Sequence, residues 1–247
     1  MGKIVTIHSY RGGTGKSNIS ANIAANLACQ GKRVGLIDTD LYSPGAHILF
    51  DMSPETLCPT LNDYLKEECP LIDTIKTGSI ENLYFIPASP REIDVITIAK
   101  EGFAIDKLVD GCYQFLDDLN LDYLFIDTHP GLHEETLLLV AISDLLAIVL
   151  RPDEQDFQGT AVMLDITRDR LGVDCALLLN LIPSYLEINT LIQDCEKTYA
   201  TSILGALPHM EEFFGSKGIF SLQHPDLAIS QTFQDIAKQI AVTVNNE

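Results

Sequence analysis

Short apolar runs punctuate the chain at Lys3–Ser9, Arg33–Asp38, Asn82–Ala88, Tyr123–Asp127, Leu145–Arg151, Ala176–Leu181 and Ser202–Leu207, with helical segments between them. This alternation predicts an α/β architecture: a doubly wound, mostly parallel sheet flanked by helices. Between the first two runs, Ile19, Ile23 and Leu27 recur at a spacing of four and place an apolar stripe on a helix that opens at the end of a glycine-rich segment. Ile229, Phe233, Ile236, Ile240 and Val244 form a second stripe, predicted to pack on the core. The section from Asp51 to Ile80, with Pro54, Pro59, Pro70 and several acids, is irregular and reads as an excursion outside the sheet. With no linker and no repeat visible, one domain spanning 1–247 is expected.

Composition narrows this picture. The 247 residues, 46% hydrophobic, suffice for one large core. The absence of an eighteen-residue apolar run and of a signal-peptide layout predicts a soluble, cytoplasmic protein. Lys238 is the only base of the final helical stretch, whereas a membrane-surface helix would show several, so a membrane partner is disfavoured. With 16 basic against 35 acidic residues, net −19, most of the surface would repel a phosphate backbone. Nonspecific DNA binding therefore needs a local basic patch, which the dispersed Lys3, Arg33, Lys100 and Arg168 do not outline. The six cysteines contain no C-x-x-C pair, and His8, His47, His133, His209 and His224 lack metal-ligand spacing, so none is assigned chemistry.

The chemistry concentrates in Arg11-Gly12-Gly13-Thr14-Gly15-Lys16-Ser17. Glycines at 12, 13 and 15 let backbone N–H groups converge on phosphate oxygens, and the helix that follows presents its positive N-terminal end. Lys16 supplies a mobile ammonium for the β- and γ-phosphates, and Ser17 a hydroxyl for Mg2+. Tyr10 stands where the strict G-x-x-x-x-G-K-[ST] pattern has its first glycine. With its double glycine after a basic residue, the segment resembles the deviant Walker A motif of the ParA/MinD family of P-loop ATPases. Downstream, Ile37-Asp38-Thr39-Asp40 resembles the family's second acidic motif, and Tyr123–Gly131, with Asp127-Thr128-His129-Pro130-Gly131, its Walker B strand and switch.

The resemblance implies ATP and Mg2+ as ligands and slow, partner-stimulated hydrolysis. Gly12 through Asn18 would cradle the phosphates, while Ser17, Asp38 and Asp127 would serve Mg2+. Asp40 would orient the attacking water, and Thr128 and Gly131 would sense the γ-phosphate. Asn180 and Pro208 match the positions that frame adenine. From the residues alone, Asp38 and Asp127 also read as strand-end caps, and Asn180 and Pro208 as turn residues.

The family's loop lysine, which reaches the partner subunit's nucleotide in an ATP-state homodimer, is Arg11 here. Arg151, at the end of the fifth run, is a second candidate, as in the McdA-type branch that spaces carboxysomes; pairing with Asp153 or Asp156 is the alternative. His129 either contacts a partner or fills the switch loop. Functionally, the resemblance implies a positioning or partitioning switch that works through a cargo adaptor. Asp40-Leu41-Tyr42-Ser43-Pro44-Gly45 also resembles the D-x-Y-x-P stretch of metallocluster carriers of the Mrp/NifH kind, and a non-hydrolysing nucleotide-sensing adaptor is a third reading.

Overall fold

A computed structural model describes residues 2–213 and 218–245. Its strands are β1 (Lys3–His8), β2 (Val34–Asp38), β3 (Lys76–Thr77), β4 (Leu83–Ile86), β5 (Tyr123–Asp127), β6 (Leu145–Leu150), β7 (Cys175–Ile182) and β8 (Ile203–Pro208). They form one sheet in the order β3-β4-β2-β5-β1-β6-β7-β8, parallel throughout except where β3 meets β4. All seven apolar runs are strands of this sheet. The excursion after Asp51 is corrected in one respect: it returns at Lys76–Thr77 to add a two-residue antiparallel edge.

The helices are α1 (Lys16–Cys29), α2 (Leu61–Leu65), α3 (Leu71–Thr74), α4 (Glu92–Glu101), α5 (Ile105–Asp118), α6 (Glu134–Ala141), α7 (Glu154–Thr167), α8 (Ile188–Tyr199), α9 (Phe220–Gln223) and α10 (Ala228–Thr243). Successive strand side chains point to opposite faces. Val5, Ile7, Leu36 and Phe125 accordingly pack with Ile23 and Leu27 of α1 and Phe233, Ile236 and Ile240 of α10. On the other face, Ile4, Ile37, Leu124 and Ile126 pack with Leu108, Phe115 and Leu116 of α5. Leu146, Ile148, Leu177 and Leu179 join Met163 and Leu164 of α7 on that same side. Burial on both faces is why the strands read as unbroken apolar runs rather than as alternating ones.

The chain leaves β1 for neighbours on one side and later returns through β6 on the other. The carboxyl end of β1 is therefore the point where the winding reverses, and crevices for ligands open there in sheets of this kind. Among the described residues, no helix is long and apolar enough to cross a membrane.

Candidate functional site

The loop between β1 and α1 supplies the base of the site. Gly15 precedes α1 with φ +87°, a left-handed conformation that glycine adopts without steric cost. A Cβ there would lie 2.5 Å from Nδ2 of Asn180, and that amide donates a 2.7 Å hydrogen bond to the Thr14 carbonyl oxygen. Glycine is thus required both by the turn and by the close approach of β7. Lys16 is buried, and its Nζ donates to Ser9 Oγ at 3.1 Å. Burial pushes the lysine below its ordinary value, while Asp127, Asp40 and Asp38 pull it back up.

Those acids come from two adjacent strands. Asp38 and Asp127 are direct neighbours in the β2–β5 register, and both are buried. Asp38 accepts from the backbone N–H of Asp40 at 3.0 Å and of Ala46 at 3.3 Å. Burial, with Asp127 adding repulsion, raises its carboxyl well above the usual range. Asp127 is raised to about 6, chiefly by burial and against the pull of Lys16 and of hydrogen bonds from Ser17 and Ser20. Its Oδ2 is buried with no hydrogen-bond partner among the described residues. Two crowded carboxylates, one orphaned oxygen and the Ser17 hydroxyl form a hard-oxygen donor set that fits a divalent cation such as Mg2+.

Beside the loop lies a cavity of about 240 Å³, lined by Gly13, Gly15, Asn18, Asn180, Leu181 and Pro208 and by the apolar side chains of Met210, Phe213, Ile229 and Phe233. It brings Asn180 and Pro208, from the ends of β7 and β8, to the side of the phosphate loop. Gly12 faces the Pro130 ring, and the Gly131 N–H donates to the Ser9 carbonyl at 3.1 Å, so the segment after β5 rests against the loop.

Arg11 and Arg151 sit together on one pair of carboxylates. Nη1 of Arg11 lies 3.3 Å from Asp153 and 3.5 Å from Asp156; Arg151 reaches the same two carboxylates at 3.3 and 3.0 Å. The ion pairs weighed for Arg151 are present and include Arg11 as well. Tyr10 is seated beside them over Gly159 of α7, where a Cβ would come within 2.2 Å of the tyrosine ring.

Two histidines belong to the site without having been assigned there. His8 is buried and bonds through Nδ1 to Thr128 Oγ1 at 2.6 Å; burial lowers its pKa to about 3. Since the Thr128 hydroxyl donates its one proton to the Ile7 carbonyl, Nδ1 of His8 is the donor. His129 Nδ1 lies 2.8 Å from Asp40 Oδ1, a contact within this chain. The signal was latent in the sequence. Asp40 and His129 each sit two residues beyond the strand-end aspartates, so pairing β2 with β5 in register places them opposite each other.

A glycine loop entering a helix at the reversal point of a parallel sheet, with a buried lysine and two strand-end aspartates, defines a phosphate-binding α/β protein. A family model described as "ParA: NUBPL iron-transfer P-loop NTPase" matches residues 1–167, and the chain belongs to this ParA/MinD family of P-loop NTPases. It is 26% identical over 241 residues to an uncharacterized ATP-binding protein of Methanocaldococcus jannaschii, covering 96% of this chain and 86% of that one. To the sporulation initiation inhibitor protein Soj of Bacillus subtilis it is 30% identical over 173 residues, 68% of this chain and 66% of the other. The fold is similar to that of the septum site-determining protein MinD of Pyrococcus horikoshii, solved with Mg-ADP, with a TM-score of 0.83 at 20% identity, covering 100% of this chain and 98% of that one.

Proposed function

We propose that the protein is an ATP-hydrolysing switch that joins a second copy of itself in the ATP state and positions or partitions a cellular cargo through an adaptor. The observation that carries this reading is the convergence on one phosphate loop of buried Lys16 with Asp38 and Asp127, register partners at the ends of β2 and β5, and with Asp40, whose N–H donates to Asp38. Gly12 to Asn18 hold the phosphates, Lys16 bridges the β- and γ-oxygens, and Asn180 and Pro208 frame the base. Ser17, Asp38 and Asp127 hold Mg2+, which when bound offsets phosphate charge. Asp40 orients the attacking water, and Thr128 and Gly131 follow the presence of the γ-phosphate. Arg11 and Arg151, which share Asp153 and Asp156 in the single chain, are the cations offered to the nucleotide of the second copy.

Size analysis of the protein with Mg-ATP, with Mg-ADP and without nucleotide tests this switch. A dimer confined to the ATP sample is expected; one size in all three samples contradicts it. Phosphate release by the wild type against Lys16→Ala separates an ATPase from a non-hydrolysing sensor, and a DNA-retardation assay across a salt series tests nonspecific DNA as the surface. A second reading, metallocluster carriage, draws on the iron-transfer description of the matching family model and on the Asp40–Pro44 stretch. Iron content and a visible spectrum of anaerobically purified protein distinguish the two.

A further inference from the structure

We propose that His129 is a positioning residue for Asp40, joining the loop after β2 to the loop after β5 so that the carboxylate is aimed only when both are in place. The inference rests on the reading of Asp40 as the water-orienting group. Asp40 Oδ1 accepts twice: from the Ser43 backbone N–H at 2.9 Å, within its own loop, and from His129 Nδ1 at 2.8 Å, across to the other. A carboxylate oxygen accepts, so Nδ1 carries the hydrogen. Two donors from different directions on one oxygen restrain rotation of the carboxylate, which a single intraloop bond does not do.

The imidazole is itself held in place. Its ring centroid lies 5.1 Å from that of Tyr42, on the Asp40 loop, and 5.2 Å from that of His133, which precedes α6. It leaves the segment whose neighbours are tied to β1 and to the residue after it: Thr128 to Ile7 and His8, Gly131 to Ser9. A shift of the segment after β5 therefore moves the donor on Asp40. The Nδ1–H exists in the neutral Nδ1 tautomer and in the imidazolium alike, so the function is placement rather than charge.

Asparagine and glutamine separate placement from packing. The amide nitrogen of asparagine stands the same number of bonds from Cα as imidazole Nδ1, and that of glutamine one bond further. Steady-state phosphate release is measured for wild type, Asp40→Ala, His129→Ala, His129→Asn and His129→Gln over a range of Mg-ATP concentrations. The expected result is a kcat lowered about tenfold or more in His129→Ala and His129→Gln, KM within about twofold of wild type, and kcat largely restored in His129→Asn. Wild-type turnover by His129→Ala beside an inactive Asp40→Ala overturns the coupling alone. So does an asparagine variant as slow as the glutamine one, a comparison that stands even if the alanine variant fails to fold. Wild-type turnover by Asp40→Ala overturns the reading of Asp40 and the coupling with it.

Discussion

Asp38 and Asp127 stand side by side at the carboxyl ends of β2 and β5, paired in register and both buried, with the Lys16 ammonium beside them. Such a pair is a liability without a cation. Both carboxyls are raised above their ordinary values, so ionising them costs the native state stability at neutral pH; for Asp127 that cost begins to shrink as pH falls below about 6 and is gone only below the ordinary value of 3.8. Asp127→Asn is therefore predicted to stabilise the nucleotide-free protein by about 1–3 kcal/mol at pH 8, with a smaller gain at pH 5, while losing affinity for Mg-nucleotide. Thermal denaturation at the two pH values checks this, and an unchanged midpoint at pH 8 argues against the crowded pair.

His8 has the opposite sign. Its pKa in the fold is about 3 against 6.5 unfolded, so the unfolded chain binds more protons between those values. Its contribution is present above pH 6.5 and declines as pH falls toward 3. His8→Asn, which keeps an N–H where Nδ1 donates to Thr128, should flatten the loss of stability on acidification. Denaturant melts from pH 7 to pH 4, compared between variant and wild type, isolate this contribution from that of the aspartates, and parallel curves for the two proteins would contradict it.

Gly15 is constrained twice, by φ +87° and by Asn180 Nδ2 at 2.5 Å from a built Cβ. Gly15→Ala should weaken Mg-nucleotide binding by about tenfold or more, the left-handed backbone alone costing an L-residue about 1–2 kcal/mol. Adding Asn180→Ala removes the collision but not the backbone strain, so calorimetry should find partial recovery at most. Full recovery would leave the turn without a role.

Because Arg11 and Arg151 share Asp153 and Asp156, their effects should not add. Each alanine variant is predicted to weaken ATP-dependent dimerisation, and the double variant by less than the sum. Sedimentation profiles with Mg-ATP measure it; profiles unchanged in both single variants exclude either arginine from the contact.

How much of this was legible depended on how local the cause is. The seven strands could be read because each is apolar on both faces; β3, two residues long and half exposed, carries no such pattern. Short α2 and α3, of five and four residues, give too little chain for a helical period to show. The phosphate loop is a contiguous segment and was readable as one. His8 and His129 were not, because their partners Thr128 and Asp40 lie far along the chain and only the sheet order brings them near. The arginine cluster was half legible: the pairing of Arg151 with Asp153 and Asp156 is local, and the arrival of Arg11 depends on β1 lying next to β6.

The claim beneath all of these is that backbone amides at the start of α1, with the Lys16 ammonium, hold a magnesium-bound polyphosphate. Titration calorimetry of the protein with Mg-ATP tests it most directly. One saturable site is predicted in the wild type, weakened by about tenfold or more in Lys16→Ala. No heat with Mg-ATP, Mg-ADP or Mg-GTP would contradict it.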